Sequence, residues 1–270
     1  TAELIAIRDI PKPFGVNMAH IIGYVGPVTD VEIEKQKQVG IAADDIGLQN
    51  NDSIGRSGVE RFYDTWLRGK PGVKVMAVDK AANIKGVVSE TESEAGKYVV
   101  LNVDAKLQSL VEEQLSAAID RARSKNYVGE AGAAVVVDVK NGNILAMATF
   151  PTFDPNNAFA TDDKSKRNTT VTDVFEPGST SKLMTMASVI EEGGANPATQ
   201  YTVENRLSRG GTSFKDYQDH ETLRLTLAGV LAKSSNIGTI LASESIGQEK
   251  LYGYLKKFGI GKSTGMNFPG

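Results

Sequence analysis

The chain has 270 residues, 40% hydrophobic and 23% charged, with a formal net charge of −3. That length allows two compact domains with buried cores, and the charge gives no reason to expect nucleic acid or an anionic membrane surface as a partner. With no cysteine, disulfides, thiolate metal sites and cysteine nucleophiles are excluded, and two histidines far apart, His20 and His220, are a poor basis for a histidine triad or a multi-histidine metal site.

Residues 1–97 are Gly-rich and mixed, with short extended runs at Val73–Val78 and Ile84–Val88. Pro11, Pro13 and Pro27 argue against long helices near the start. Ser57–Arg68 is the exception: Val59, Phe62, Tyr63, Trp66 and Leu67 fall at helical spacing, which makes the aromatic stripe an expected core face. Arg56 and Glu60 are placed to pair across one turn. His20 and His220 are expected to be structural or solvated. No apolar run approaches the ~20 residues of a membrane span. The start lacks both a signal-peptide pattern and an initiator Met, so a longer N-terminus is expected.

A second style begins near Tyr98. Val99–Val103 reads as a strand, and Asp104 as the cap of a helix reaching about Lys125, with Leu107, Leu110, Val111, Leu115, Ala118 and Ile119 on one face. Ala133–Val139 and Ile144–Ala148 read as a hairpin closed by a two-residue Asn141-Gly142 turn. A polar loop spans Phe150 to Val171. After Pro177-Gly178 a helix is expected from about Ser179 to Gly193-Gly194. Further helices follow at Leu225–Ala232 and Ile237–Ile246, separated by Ser234-Ser235-Asn236. Helices over a strand-turn-strand sheet make a layered α/β or α+β domain.

Ser179-Thr180-Ser181-Lys182 is the sequence's one Ser-x-x-Lys tetrad. Serine and lysine three apart on a helix share a face. A lysine serves as base to the hydroxyl when burial and nearby positive charge lower its pKa, and a helix N-terminus adds positive field and N–H donors. About one such tetrad arises by chance in a chain this long. Its company decides: Ser234-Ser235-Asn236 lies between two helices, where a hydroxyl relays a proton and an amide holds a substrate amide. The other Ser-x-Asn, Ser124-Lys125-Asn126, closes a surface helix and is read as structural.

Ser-x-x-Lys, a Ser-x-Asn triplet and Lys-Thr-Gly are the motif set of penicillin-binding proteins and class A β-lactamases. Thr172–Lys182 and Leu227–Gly238 resemble the first two motif segments of class B penicillin-binding proteins. Ala134–Phe153 is similar to their opening hairpin, and Gly55–Glu60 with Leu67–Gly72 to their N-terminal pedestal. The resemblance covers nearly the whole chain and is closest to the septal, cell-division subgroup. It implies an α+β protein: a β-rich pedestal, dimerisation-like and non-catalytic, over 1–97, then a partial penicillin-binding/transpeptidase-type α/β layered domain over 98–270. It further implies a D,D-transpeptidase cross-linking peptidoglycan, with Ser179 as nucleophile, Lys182 as its base, Ser234 passing the proton to the leaving amine and Asn236 binding the substrate amide. Stem peptides, β-lactam antibiotics and cell-wall synthesis or division proteins are the implied partners, with no cofactor, metal or nucleic acid. The implied place is the outer face of the cell membrane, on a single-pass anchor not in this chain.

Lys-Thr-Gly itself is absent. Lys262-Ser263-Thr264-Gly265 sits in a Gly-rich turn and is rejected as the third motif, so the chain is expected to continue into further sheet strands. The rivals are a D,D-carboxypeptidase or β-lactamase, against which the pedestal speaks, and a β-lactam sensor or non-catalytic division scaffold.

Overall fold

The computed structural model describes residues 15–40, 47–81, 83–266 and 268. Packing divides the chain into two compact units, Thr1–Asp173 with Asn267–Gly270, and Val174–Met266.

In the first unit, α1 (Ala19–Ile22), β1 (Val25–Pro27), α2 (Asp30–Val39), β2 (Ser53–Gly55), α3 (Gly58–Phe62), α4 (Asp64–Leu67), β3 (Val73–Val78) and β4 (Ile84–Thr91) come first. Pro11 and Pro13 lie outside the described residues. Helix α2 went unread despite its start signal: Thr29 and Glu32 form a reciprocal capping box. The expected helix over Ser57–Arg68 is broken at Tyr63, whose φ of −110° and ψ of 23° separate α3 from α4. The break also undoes the aromatic stripe. Val59 and Leu67 enter the core with Tyr63 packed against them, but Phe62 and Trp66 are 45% and 54% exposed, with Lys97 Nζ 4.9 Å above the indole. Arg56 pairs with Glu32 at 2.6 Å, not with Glu60, which is buried. His20 is structural: it is buried against Phe153, its Nε2 2.9 Å from the Ser165 carbonyl.

Next come α5 (Ala105–Ser124), β5 (Gly132–Val137), β6 (Ile144–Phe150), α6 (Asp163–Lys166) and α7 (Thr169–Thr172). Val99–Val103 alternates inward and outward but joins no ladder; Val99, Leu101 and Val103 pack on the core as an extended segment. Asp104 caps α5 as expected, accepting from the Lys106 and Leu107 N–H groups. Strands β5 and β6 pair antiparallel with Val135 opposite Met147. Their connection is wider than the two-residue turn expected. Asp138 N donates to Asn143 O, and the Asp138 carboxylate accepts Lys140 N and Asn141 Nδ2. Only Gly142 of the Asn-Gly pair has positive φ, whereas a type I′ turn needs two. Helix α5 covers this hairpin through Gln108, whose amide hydrogen-bonds both the N–H and the carbonyl of Met147. Asn126 ends α5 in the left-handed region and Ser124 Oγ donates to Arg121 O, as their structural reading requires.

The second unit contains a 3₁₀ turn (Gly178–Ser181), α8 (Lys182–Glu191), β7 (Gln200–Val203), β8 (Arg206–Arg209), β9 (Thr212–Lys215), β10 (Leu223–Thr226), α9 (Leu227–Ala232), α10 (Asn236–Glu244) and α11 (Gly247–Lys257). Met186 and Val189 of α8 pack with Leu227, Val230, Ala242 and Ile246 into its core. The helix expected from Leu225 starts two residues later, because Leu225 and Thr226 pair with Tyr201 and Gln200 of β7 and Thr226 serves as N-cap. Ser263–Met266 after α11 form no strand, consistent with the rejection of a third motif there. Among the described residues, no helix is long and apolar enough to cross a membrane.

Candidate active site

Gly178, at φ +58°, opens a 3₁₀ segment, so that Ser179 lies in it rather than in the α-helix expected. In a 3₁₀ turn residues three apart eclipse, so Ser179 and Lys182 remain on one side. Ser179 is exposed, while Lys182, the first residue of α8, is only 8% exposed. Burial lowers the Lys182 pKa below the ordinary 10.5, and the negative charge of Asp216 acts the other way.

The second motif reaches the same place from the other side. Helix α9 ends at Ala232 with Lys233 as its C-cap, and Ser234 takes φ 54°, a conformation uncommon for a non-glycine residue. Ser235 is buried and caps α10 by accepting Gly238 N at 2.9 Å. A Cβ on Gly238 would stand 2.6 Å from Val230 Cγ2, so only glycine lets α9 and α10 close this tightly.

Three of the four expected site residues are joined directly. Ser234 Oγ donates to Ser179 Oγ at 2.8 Å, and Lys182 Nζ donates to Ser234 Oγ at 3.1 Å and to the Ser234 carbonyl. Among the described residues no hydrogen bond links Lys182 Nζ directly to Ser179, so Ser234 stands between them. Asn236 lies at the edge, exposed, its Nδ2 donating to Lys215 O at 2.9 Å.

Sequence reasoning missed the Lys215–His220 segment. Asp216 Oδ1 accepts Ile237 N at 3.0 Å, and His220 Nε2 stands 3.3 Å from Asp216 Oδ2. Burial pushes the Asp216 pKa up, but hydrogen bonds from Ser235, Ile237, Asn236 and His220 outweigh it and hold the carboxylate below 3.8. The available signal was Gly210-Gly211. Both have positive φ, 53° and 80°, the two-residue turn that joins β8 to β9. Among the described residues, no group of three or more His, Cys, Asp or Glu could hold a metal ion.

The arrangement is an exposed hydroxyl, a second hydroxyl touching it and a largely buried amine, which is the equipment for serine acyl transfer without histidine. The penicillin binding protein transpeptidase domain matches residues 132–270 and the penicillin-binding protein dimerisation domain residues 6–101. The peptidoglycan D,D-transpeptidase FtsI of Escherichia coli is 37% identical over 83% of this chain and 37% of its own length. The penicillin-binding protein PbpB of Mycolicibacterium smegmatis is 34% identical over 85% of the chain and 35% of its own. Penicillin binding protein 3 of Mycobacterium tuberculosis, solved with ampicillin, aligns at TM-score 0.70 and 30% identity over 94% of this chain and 47% of that one. The chain therefore spans a little over a third of the curated relatives it matches. With two family domains matched in order and both motifs meeting in space, this chain belongs to the penicillin-binding proteins of the transpeptidase family.

Proposed function

We propose that this chain is part of a peptidoglycan D,D-transpeptidase that works through a serine acyl-enzyme and is trapped covalently by penicillin. The observation that carries the reading is the Ser179–Ser234–Lys182 contact chain. Ser179 Oγ bonds to the penultimate D-Ala carbonyl carbon of a donor stem peptide, the C–N bond to the terminal D-Ala breaks, and the leaving amine takes a proton. A neighbouring stem's amine then displaces Ser179 and forms the cross-link.

The contacts refine how Lys182 acts as base. A hydroxyl donates and accepts and its hydrogen rotates. The same atom positions therefore carry a proton from Ser179 Oγ through Ser234 Oγ to a neutral Lys182 Nζ, which still donates to the Ser234 carbonyl. Burial of Lys182 favours that neutral form. The return path delivers the proton through Ser234 to the leaving amine. Asn236 binds the substrate amide.

Residues 1–97 form the pedestal and 98–270 the transpeptidase portion, a division supported by the dimerisation match at 6–101 and the transpeptidase match at 132–270. The resemblance of its motif segments to the septal subgroup supports a role beside other division proteins, at the outer face of the cell membrane. The test is product analysis of the intact protein with a D-Ala-D-Ala stem peptide and an amine acceptor. Cross-linked peptide supports the transpeptidase. Hydrolysed stem alone indicates a carboxypeptidase, and no turnover with stable β-lactam acylation a sensor.

A further inference from the structure

We propose that Asp216 is a positioning residue for the acylation chemistry: from the segment after β9 it fixes the Ser234–Asn236 loop, and with it the hydroxyl that joins Ser179 to Lys182. The inference rests on the serine acyl-enzyme reading above.

Two hydrogen bonds tie this segment to the second motif. The Lys215 carbonyl accepts Asn236 Nδ2 at 2.9 Å, and Asp216 Oδ1 accepts Ile237 N at 3.0 Å. Ser235 and Asn236, beside Ile237, help hold the carboxylate's pKa down. Its far oxygen faces His220 Nε2 at 3.3 Å, and both side chains are largely buried. His220 is itself held, since its backbone N donates to Asn205 Oδ1 at 3.2 Å, in the connection between β7 and β8. The carboxylate is thus gripped from two sides.

Helix capping alone does not account for it. Helix α10 already has a side-chain cap in Ser235, so Asp216 is a second, charged acceptor at an end whose cap is filled. What it adds is rigidity where the backbone is strained. Ser234 sits at φ 54°, and such a residue persists only where its surroundings over-determine it. Just past it, Ile237 N is held by Asp216 and Asn236 Nδ2 by the adjoining Lys215 carbonyl.

Asp216 also bears on charge. Among the described residues, the titratable groups facing it are His220 from its own segment and Lys182 from α8. Its carboxylate favours the ammonium form of Lys182, against the effect of burial.

The experiment measures the acylation rate by a fluorescent penicillin across pH, for the intact protein, Asp216→Ala and Asp216→Asn, with thermal unfolding of each. Asp216→Ala is expected to slow acylation about tenfold or more, the scale of losing a charge-assisted hydrogen bond. Asp216→Asn keeps an acceptor for Ile237 N but no charge. It is expected to recover most of the lost rate and to move the acid limb of its profile to lower pH, because Lys182 loses the charge that favoured its ammonium form. An Asp216→Asn rate and profile superimposable on the parent's overturn the proposal, even if Asp216→Ala does not fold. A parent that is not acylated at all overturns the acyl-enzyme reading itself, and this inference with it.

Discussion

Replacing Gln108 by Met tests how α5 is fastened to its hairpin. Strand β6 uses one edge for β5, and on its other edge Gln108 supplies what a third strand would. Its Oε1 accepts Met147 N at 2.7 Å and its Nε2 donates to Met147 O at 2.8 Å. Gln108 is 0% exposed and Met147 5%, so water does not replace the amide. Methionine keeps the volume and leaves two buried backbone groups unsatisfied, at about 1–3 kcal/mol each. The expected loss is about 2–6 kcal/mol, a large part of a domain's net stability. Urea denaturation of parent and Gln108→Met gives the difference from the midpoints at a common slope. A loss below about 1 kcal/mol with an unchanged slope refutes the idea that this amide acts as a surrogate strand.

Lys182→Met removes the base from the relay and should slow penicillin acylation by about 10²–10⁴-fold, the usual contribution of a general base. Stability should not fall with it. A lysine whose folded pKa is depressed costs the fold stability at neutral pH, a cost that fades as pH rises toward 10.5; a large drop in Tm for Lys182→Met contradicts this. Glu32, hydrogen-bonded by Arg56, is held down to about 2 from 4.5. Its folded pKa lies below the unfolded one, so the stabilisation is present above 4.5 and lost as pH falls toward 2. Linkage sets a ceiling of about 3 kcal/mol, which partial solvent exposure reduces to about 1–2. The Tm gap between parent and Glu32→Gln should therefore be open at about pH 7 and closed near pH 2; a gap independent of pH sinks the assignment.

The motifs were legible because their chemistry is local. Ser179 and Lys182 lie within one turn, and Asp104 announces the helix it caps. Spacing did not reveal which atoms touch. Ser234 stands between Ser179 and Lys182 because its backbone takes φ 54°, and nothing in the Ser-x-Asn pattern encodes that. Asp216 was hidden for a related reason: its partners at Ser235–Ile237 are roughly twenty residues away, across β10 and α9. Turn signals misled in both directions. Asn141-Gly142 has the composition of a tight turn, but the Asp138 carboxylate organises a wider one, while Gly210-Gly211 makes the tight turn and was passed over. At Phe62 and Trp66 helical spacing implied burial, but a break at Tyr63 ended the periodicity that the inference needed.

The most direct test of the central claim is to treat the intact protein and Ser179→Ala with a fluorescent penicillin, digest both and locate the adduct by mass spectrometry. The account predicts one acylated peptide, the one holding Ser179, absent from the variant. An adduct on another residue, or labelling that survives Ser179→Ala, would contradict it.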